Sequence, residues 1–496
     1  MRGWSLTIVA MLLSSAASAA GSAQFSPTQM AQINRSSWGL DLAALQTDPS
    51  AKTVMAGLDS SLPAAAAAQI AQMRIVREPM AQLVVEMDTQ NQAANKLADP
   101  DAKKAARKAY QQAMNDLNRE AATRSLLRDL YSPAQLQEQM TWFWFNHFNV
   151  HAGKRDIRAM VGDYEDVIRT HALGKFRDLL EATLRHPAML RYLDNDQNAA
   201  GHINENYARE IMELHSMGVG SGYSQADVQE LARVLTGVGV SLKPDNPKLK
   251  PEWQPLYIHA GLFEFNPARH DFGAKHFLGH QISGSGFHEV EQALDLIAAS
   301  PATARHVSTQ IATYFMGDNP PAAVVDHMTT AWQRSSGDIA TVLRAMSASP
   351  EYSASLGRTF KDPIHYVVSA VRYAYGDRVI LNADPMIGWL NRMSEGLYNH
   401  ETPDGYPMNA SAWTGPGQME VRFEIARAIG NGSAGLFKSR TAGSTEQPAF
   451  PQLQNALYFG GLDRTLSAQT REALAQATSP QEWNMLFLAS PDFMRR

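Results

Sequence analysis

Residues 194–237 read DNDQNAAGHINENYAREIMELHSMGVGSGYSQADVQELARVLTG, and this stretch contains two predicted helices joined by a glycine-rich loop. The first helix is expected to end at Gly218, because glycine adopts the left-handed conformation that commonly closes a helix. Ser224 with Asp227 three residues later resembles a capping box and starts the second helix. The segment Glu205–His215 is unusually rich in ionisable side chains for a helix of a protein core.

Helical patterns recur over the rest of the chain, whereas strand patterns are confined to residues 240–285. There, YIHAGLFEF (257–265) and HFLGHQI (276–282) alternate enough to predict two short strands around the loop Asn266–Lys275, forming one small β-hairpin. Many helices without alternating strands argue against a Rossmann or barrel fold. The sequence therefore predicts a mainly α fold, a large multi-helical globular domain with one hairpin.

Residues 64–125 differ in composition, being rich in Ala, Gln, Lys, Arg and Glu. They predict an N-terminal long helical hairpin with helices at 69–97 and 101–121. Its turn falls at Asp99-Pro100, because proline disfavours the helical conformation in the residue before it. Its charges fit a solvated face, and a partner-binding arm is the alternative.

Five segments follow from these patterns. They are a signal peptide (1–20), N-terminal helices of the core (21–63), the helical hairpin extension (64–125), a helical core (126–430), and a linker with closing helices (431–496).

The first residues have the features of a secretory signal. Arg2 is the basic part, Leu6–Leu13 is a short apolar run, and Ala17-Ser18-Ala19 is a small-residue cleavage site. The apolar run is shorter than the ~18 residues that a membrane span requires, and no later stretch reaches that length. We expect an exported protein, periplasmic or extracellular, without an integral membrane segment after cleavage; a retained N-terminal anchor is the alternative.

Composition excludes several classes of function. The chain has 496 residues and no cysteine, which rules out disulfides, thiolate metal sites and a cysteine nucleophile. Its 44 basic and 49 acidic residues give a net charge of −5, so there is no basic footprint for nucleic acid or for an anionic membrane.

Several stretches together resemble one bacterial family, DUF1800, over nearly all of the chain from about residue 34. They are FWFNHF (143–148), HPAMLRYLDN (186–195), NENYAREIMELHSMGVGSGYSQADVQELARVLTG (204–237), HDFGAKHFLG (270–279), PATARHVSTQIATYF (301–315), SPEYS and KDPIHYVVSAVR (349–372), and GYPMNASAW (405–413). The resemblance implies an exported, single-unit helical protein. It implies no activity, and no catalytic roles come with its motifs.

The first candidate site is the set of glutamates on the central helix. A spacing of four places Glu205, Arg209 and Glu213 on one helical face, where the arginine can pair with either carboxylate, while Glu210 lies towards the neighbouring face. One interpretation is a structural ion-pair network. The other is two carboxylates in different environments, an acid and a base, as glycoside hydrolysis requires.

The second candidate site follows an aromatic helix. Trp144, Asn146 and His147 lie together, and His215 closes the central helix. A histidine among aromatic residues is commonly a hydrogen-bonded core residue. The alternative is a carbohydrate-stacking cleft, since aromatic faces supply contact area and polar tips supply orientation.

Two further groups are loop candidates. His270, Asp271 and Lys275 bring three ionisable groups into six residues of a loop, where binding residues concentrate; a turn stabilised by Asp271 is the structural alternative. The Asn-rich segment Asp194–Asn198 is interpreted as a turn, because it lacks the order of a calcium-binding loop.

No metal site or cofactor is assigned. Motifs of di-iron bundles, zinc proteases, α/β-hydrolases and P-loop proteins are missing from the sequence. Two hypotheses stay open: a helical binding or assembly protein with an envelope polymer or protein partner, and a hydrolase, glycan-directed, that uses the carboxylate pair. In either case we expect Glu205–His215, Asn146–His147 and the His270 loop to converge.

Overall fold

Helices dominate the fold because most of the chain carries capped, amphipathic segments rather than alternating ones. The computed structural model describes residues 25–41, 62–283, 285–376, 378–438 and 450–496. The fold is 61% helical and 5% strand, with 22 helices in the described ranges, so the mainly α prediction is confirmed. The predicted signal peptide, residues 21–24 and 42–61, and part of the predicted linker lie outside these ranges.

Eleven helices, numbered in chain order, precede the strands. They are α1 (Pro27–Ser36), α2 (Ala64–Ala71), α3 (Arg74–Arg77), α4 (Met80–Lys96), α5 (Pro100–Tyr131), α6 (Gln135–His147), α7 (Val161–His171), α8 (Phe176–Arg185), α9 (Pro187–Tyr192), α10 (Asn206–Glu213) and α11 (Gln225–Val234).

Eleven more follow the strands. They are α12 (Phe287–Ala299), α13 (Pro301–Met316), α14 (Ala322–Ser335), α15 (Ile339–Ser347), α16 (Pro350–Ser355), α17 (Pro363–Tyr375), α18 (Asp384–Arg392), α19 (Pro416–Gly430), α20 (Asp463–Thr465), α21 (Ala468–Ala475) and α22 (Pro480–Leu488).

The N-terminal hairpin consists of α4 and α5, with Asp99 capping α5 through the backbone N–H groups of its first turn and Pro100 at the first helical position. The expected helix 69–97 is instead three helices, α2 to α4, and Pro79, immediately before α4, separates it from α3. Helix α5 also continues to Tyr131, beyond the expected end at 121. Its last turns are buried in the core, so the hairpin is continuous with the rest of the fold.

Five short strands lie between α11 and α12. They are β1 (Val238–Val240), β2 (Ile258–Ala260), β3 (Phe263–Phe265), β4 (Lys275–Phe277) and β5 (His280–Ile282).

Where one hairpin was expected, the structure has two antiparallel sheets, ordered β1-β3-β2 and β4-β5. Each predicted strand is itself a hairpin. Gly261 and Gly279 have φ of +63° and +79°, a region that favours glycine. The chain therefore reverses at each glycine, and one predicted strand becomes two short antiparallel strands.

The aromatic helix α6 lies in the core and supports the site described below. Trp144 and Phe148 have no exposed surface and Phe145 is 2% exposed. No helix of the described ranges is both long enough and apolar enough to cross a membrane.

Candidate functional site

Helix α10 separates a buried face from a polar one. Tyr207, Ala208, Ile211 and Met212 are at most 1% exposed and pack into the core. The residues spaced between them therefore face outward, as the helical period requires. The charged helix of the sequence is thus a surface helix with a solvent-facing polar side.

Arg209 organises the outer face of α10. Its Nη2 lies 3.0 Å from Glu205 Oε2 and its Nη1 lies 3.3 Å from Glu213 Oε1. Gln225 of α11 joins the group, accepting from Arg209 at 2.9 Å and donating to Glu205 at 2.7 Å. The three charged side chains are 28 to 36% exposed, and such exposed pairs contribute only about 0–1 kcal/mol each. The network therefore orients these groups more than it stabilises the fold.

Glu210 differs from its neighbours because, within the described part of the chain, its carboxylate forms no hydrogen bond or ion pair. Partial burial raises the pKa of Glu210, and the negative charges of Glu213 and Asp404 raise it further. The positive charge of Arg209 opposes this shift without cancelling it. Glu210 consequently keeps its proton to a higher pH than an ordinary glutamate.

We name the outward carboxylates Glu205, Glu210, Glu213 and Asp404, with Arg209, the acidic face. Two tyrosines border it. Burial raises the pKa of Tyr223, and the nearby charge of Glu213 adds to the rise. Burial likewise raises the pKa of Tyr192, with contributions from Asp404 and Glu210. The acidic face therefore extends from α10 to both tyrosines.

The loop that carries Asp404 is held by the end of α6. Asn146 Nδ2 donates to Tyr406 O at 2.9 Å, and Tyr406 N donates to Asn146 Oδ1 at 2.7 Å. Asn149 Nδ2 donates to His400 O at 3.0 Å and to Thr402 O at 2.7 Å. The predicted binding residue Asn146 thus positions the loop.

His147 and His215 join α6 to the end of α10. His147 Nε2 lies 3.0 Å from His215 O, so this nitrogen carries the proton and donates to the carbonyl. Burial, with a smaller contribution from nearby His306, lowers the pKa of His147 to about 4. His215 is 1% exposed, and burial followed by the charge of His147 lowers its pKa. Both histidines are therefore neutral at pH 7, and they connect two helices beneath the acidic face.

Trp144 supports the same junction from inside. It has no exposed surface, and its indole N–H donates to Ala172 O at 2.9 Å. Its ring contacts His147 edge-on at 5.4 Å between centroids. Trp144 accordingly packs in the core and offers no face to a ligand.

The His270 loop forms a separate, buried network. Glu289 of α12 lies between its two partners, with Oε1 at 3.1 Å from His270 Nε2 and Oε2 at 2.6 Å from Lys275 Nζ. All three side chains are 0% exposed. Asp271 points elsewhere and pairs with Arg233 at 2.8 Å. Among the described residues, these contacts do not reach α10. Of the three segments expected to converge, the structure therefore brings together α10 and α6 and leaves the His270 loop apart.

The Asn-rich turn before α10 uses basic partners. Lys154 Nζ lies 2.8 Å from Asp194 Oδ2, and Arg155 Nη1 lies 2.7 Å from Asp196 Oδ2. Asn195 donates to Val238 O at 2.8 Å, which fixes the turn against β1. Across the residues the structure describes, no group of three or more His, Asp or Glu side chains is arranged to hold a metal ion.

Sequence reasoning missed two important partners, Asp404 of the acidic face and Glu289 of the buried network. Asp404 had a signal, since residues 401–418 (ETPDGYPMNASAWTGPGQ) are rich in glycine and proline, a composition typical of a loop. Glu289 had one as well, because it occupies an apolar face of α12 beside Val290 and Ala293. Neither signal identifies the residue that Asp404 or Glu289 lies against, and the role of each carboxylate depends on that residue.

Comparisons with known proteins identify one family. The family model described as "Protein of unknown function (DUF1800)" matches residues 24–495. Comparison with curated proteins and with solved structures finds no match.

Proposed function

The chain belongs to the DUF1800 family, a family of unknown function, and we propose that it is an exported binding protein whose acidic face holds an amine-bearing, hydroxyl-rich polymer of the cell envelope. The observation that carries the proposal is the unpaired, half-buried carboxylate of Glu210, with the charges of Glu213 and Asp404 close to it.

The charge of the acidic face supports a cationic ligand group. The face has four carboxylates and one guanidinium, and the negative charges of Glu213 and Asp404 add to the effect of burial in raising the pKa of Glu210. An ammonium group brought next to Glu210 would remove that repulsion and favour its ionised form. A ligand amine would therefore gain more here than at an isolated surface carboxylate.

The neutral polar groups around the face support a hydroxyl-rich ligand. Tyr223, Gln225 and Thr402 are partly or fully exposed polar side chains at its border. Gln225 and Thr402 donate to Glu205 and Asp404 of the face, and their oxygens can still accept from a ligand. Sugar hydroxyl groups are matched by such mixed groups, and the ring faces of tyrosines offer stacking area. A polymer of sugars with free amino groups combines both kinds of recognition.

The test is calorimetric titration of the purified chain with three tetramers: glucosamine, N-acetylglucosamine and glucose, all β-1,4-linked. We expect the glucosamine tetramer to bind at least tenfold more tightly than the other two, with an affinity that falls as salt rises. Glu210→Gln and Glu213→Gln should each weaken this binding about tenfold, about 1.4 kcal/mol.

Glu424→Gln is the matched control, because Glu424 is a surface carboxylate, 51% exposed and paired with Arg392. It should bind like the unchanged protein. Equal binding of the three tetramers, or an equal loss in Glu424→Gln, would rule out the proposed ligand.

One observation favours a hydrolase as the second candidate. Glu210 retains its proton more strongly than usual, whereas Glu213 is paired with Arg209. A protonated acid beside an ionised carboxylate is the combination that glycoside hydrolysis needs. If the protein is a hydrolase, the tetramers will be cleaved, and Glu210→Gln will abolish cleavage. Binding without any cleavage over a day would leave the binding function alone.

Export is part of the proposal and rests on the first twenty residues. Arg2, the apolar run Leu6–Leu13 and Ala17-Ser18-Ala19 are the features that a secretory signal requires. Fractionation of the producing cells with N-terminal sequencing tests it. The expected product is outside the cytoplasm and begins near Ala20 or Gly21; a full-length cytoplasmic chain would contradict export.

A further inference from the structure

A cavity of 360 Å³ lies away from the acidic face, between α1, α17 and residues 462–495. None of the acidic-face residues lines it. Exposed Pro27, Thr465 and Arg495 belong to its wall, so the cavity opens to solvent. Its volume lies in the range of small-molecule sites, about 300–1,000 Å³.

The amine of Lys361 is at the wall of this cavity. The side chain is 3% exposed, and its Nζ donates to Ser369 Oγ at 3.0 Å. The same Nζ lies 4.2 Å from the centroid of the Phe493 ring. Ser369 and Phe493 both line the cavity, which places the amine among its lining groups.

Lys361 is buried without a carboxylate partner in the described part of the chain. Lysine is almost never fully buried unless it is paired. The carboxylate next in sequence, Asp362, lies 2.6 Å from His365 Nδ1. The charged groups that act on Lys361 are instead Arg496 and Arg422, both positive. The ammonium form is therefore disfavoured by its surroundings.

The surroundings leave about half of the Lys361 side chains as the neutral amine at pH 7. Burial, followed by the charges of Arg496 and Arg422, lowers the pKa of Lys361 to about 7. The Phe493 ring favours the charged form but does not offset these effects. The hydroxyl of Ser369 donates to Tyr366 O at 3.1 Å, so it accepts from Lys361 and leaves the nitrogen lone pair free.

From this arrangement we propose that the cavity is a second ligand site, in which the Lys361 amine condenses with the carbonyl group of a small aldehyde that has an apolar body. The nitrogen bonds to the carbonyl carbon, and the carbonyl oxygen leaves as water with both amine protons. The product is an imine, and the step requires no oxidant or reductant. Met30, Leu466 and Phe487 supply apolar wall for the ligand body.

The site has the elements that activate a lysine for imine formation: desolvation, neighbouring cations and a space for the electrophile. Desolvation and neighbouring cations give a lysine with a purely structural role no advantage over an apolar residue. The cavity beside the amine is what gives the arrangement a chemical use.

The test is reductive labelling of the full, folded chain at pH 7 with benzaldehyde and cyanoborohydride, followed by peptide mapping. Lys175 is the internal reference, because its side chain is 44% exposed. We expect Lys361 to be labelled at least tenfold faster than Lys175, with a rate that rises through pH 7. Lys361→Met, which keeps the side-chain volume, should lose this adduct and leave the labelling of Lys175 unchanged.

Two further measurements make the result decisive even if the variant folds poorly. Labelling in urea should abolish the preference for Lys361, since the preference depends on the folded cavity. Labelling is also repeated in the presence of benzoate, which has the ring of benzaldehyde but cannot form an imine. This competition distinguishes a site that binds anions from a site that forms an imine. Labelling of Lys361 at or below the rate of Lys175, or tight benzoate binding without any adduct, would overturn the proposal.

Discussion

Asn146 and Tyr406, which are 260 residues apart in the chain, hold each other through two reciprocal hydrogen bonds of 2.9 and 2.7 Å. The asparagine amide satisfies both backbone groups of the tyrosine, as a strand partner would. This contact sets the loop that brings Asp404 towards Glu210. The acidic face is therefore assembled by a contact between two distant segments.

The first prediction concerns Gly405, which lies against Asn146 in this contact. Its φ is +72°, and an added Cβ would lie 2.7 Å from Asn146 Oδ1 and closer still to the backbone O of that residue. Gly405→Ala should lower the free energy of unfolding by about 1–3 kcal/mol, from backbone strain and a displaced loop. It should also weaken ligand binding at the acidic face. Urea denaturation and calorimetric titration measure the two effects.

Gly388→Ala is the matched control. Gly388 lies in α18 with no atom within 4 Å of an added Cβ. Alanine should stabilise that helix by up to about 1 kcal/mol. A Gly405→Ala protein as stable as Gly388→Ala would show that the loop contact carries no strain.

The second prediction is a gain in stability when Glu210 is neutralised. The pKa of Glu210 is raised in the folded protein. Its contribution to stability is therefore fully present below the ordinary glutamate pKa, about 4.3, and is lost as pH rises through the folded pKa. Glu210→Gln should therefore be about 0.5 kcal/mol more stable than the unchanged protein at pH 7. Glu213→Gln should be slightly less stable, because Arg209 loses a partner.

Chemical denaturation of both variants at pH 7 and pH 4 checks this pair. A gain in stability together with a loss of binding is characteristic of a residue retained for function. If Glu210→Gln is destabilised as much as Glu213→Gln, Glu210 belongs to the structural network.

The third prediction concerns the buried Glu289. Burial disfavours its charge, but the hydrogen bonds from His270 and Lys275 outweigh burial and lower the pKa of Glu289. Its stabilising effect is present above the ordinary pKa of about 4.3 and is lost as pH falls through the lower folded value. Glu289→Leu should lower the free energy of unfolding by about 3–5 kcal/mol, because it leaves buried Lys275 unpaired.

The double variant Glu289→Leu with Lys275→Met is the informative companion. It removes both charges and should recover most of the loss, as apolar replacements of buried pairs do. Thermal unfolding of the single and double variants decides the matter. No recovery in the double variant would mean that the pair, rather than an orphaned charge, stabilises this region.

The fourth prediction is destabilisation in mild acid. His147, with a pKa of about 4, and His215 are neutral in the folded protein. The unfolded chain protonates such groups near pH 6.5, so stability falls as pH drops from about 6.5 towards 4. Each group contributes up to about 1.4 kcal/mol per pH unit.

His147→Gln retains a donor for His215 O and removes one titrating group. Its stability should fall less steeply between pH 6.5 and 4 than that of the unchanged protein. His288→Gln is the control, because His288 is 61% exposed and should leave the slope unchanged. Identical slopes in all three proteins would contradict the assignment of neutral histidines.

The helices could be predicted because their determinants are local. Ser224 with Asp227 forms the capping box expected from sequence, and the spacing of Glu205, Arg209 and Glu213 produces the two ion pairs expected of one helical face. Both depend on atoms three or four residues apart, whose relative positions the helix itself sets. The β region was harder, since glycine turned each short strand back on itself.

The roles of the candidate residues depended on distant partners. The spacing of His270 and Lys275 could not show that both contact Glu289 in a sealed site. The composition around Glu210 could not show that Asp404 faces it. What the sequence determined by itself was the helical class and the polar side of α10, because these follow from hydrophobic period and capping. What only the tertiary structure decided was which charges remain unpaired, because burial and distance between remote segments set that balance.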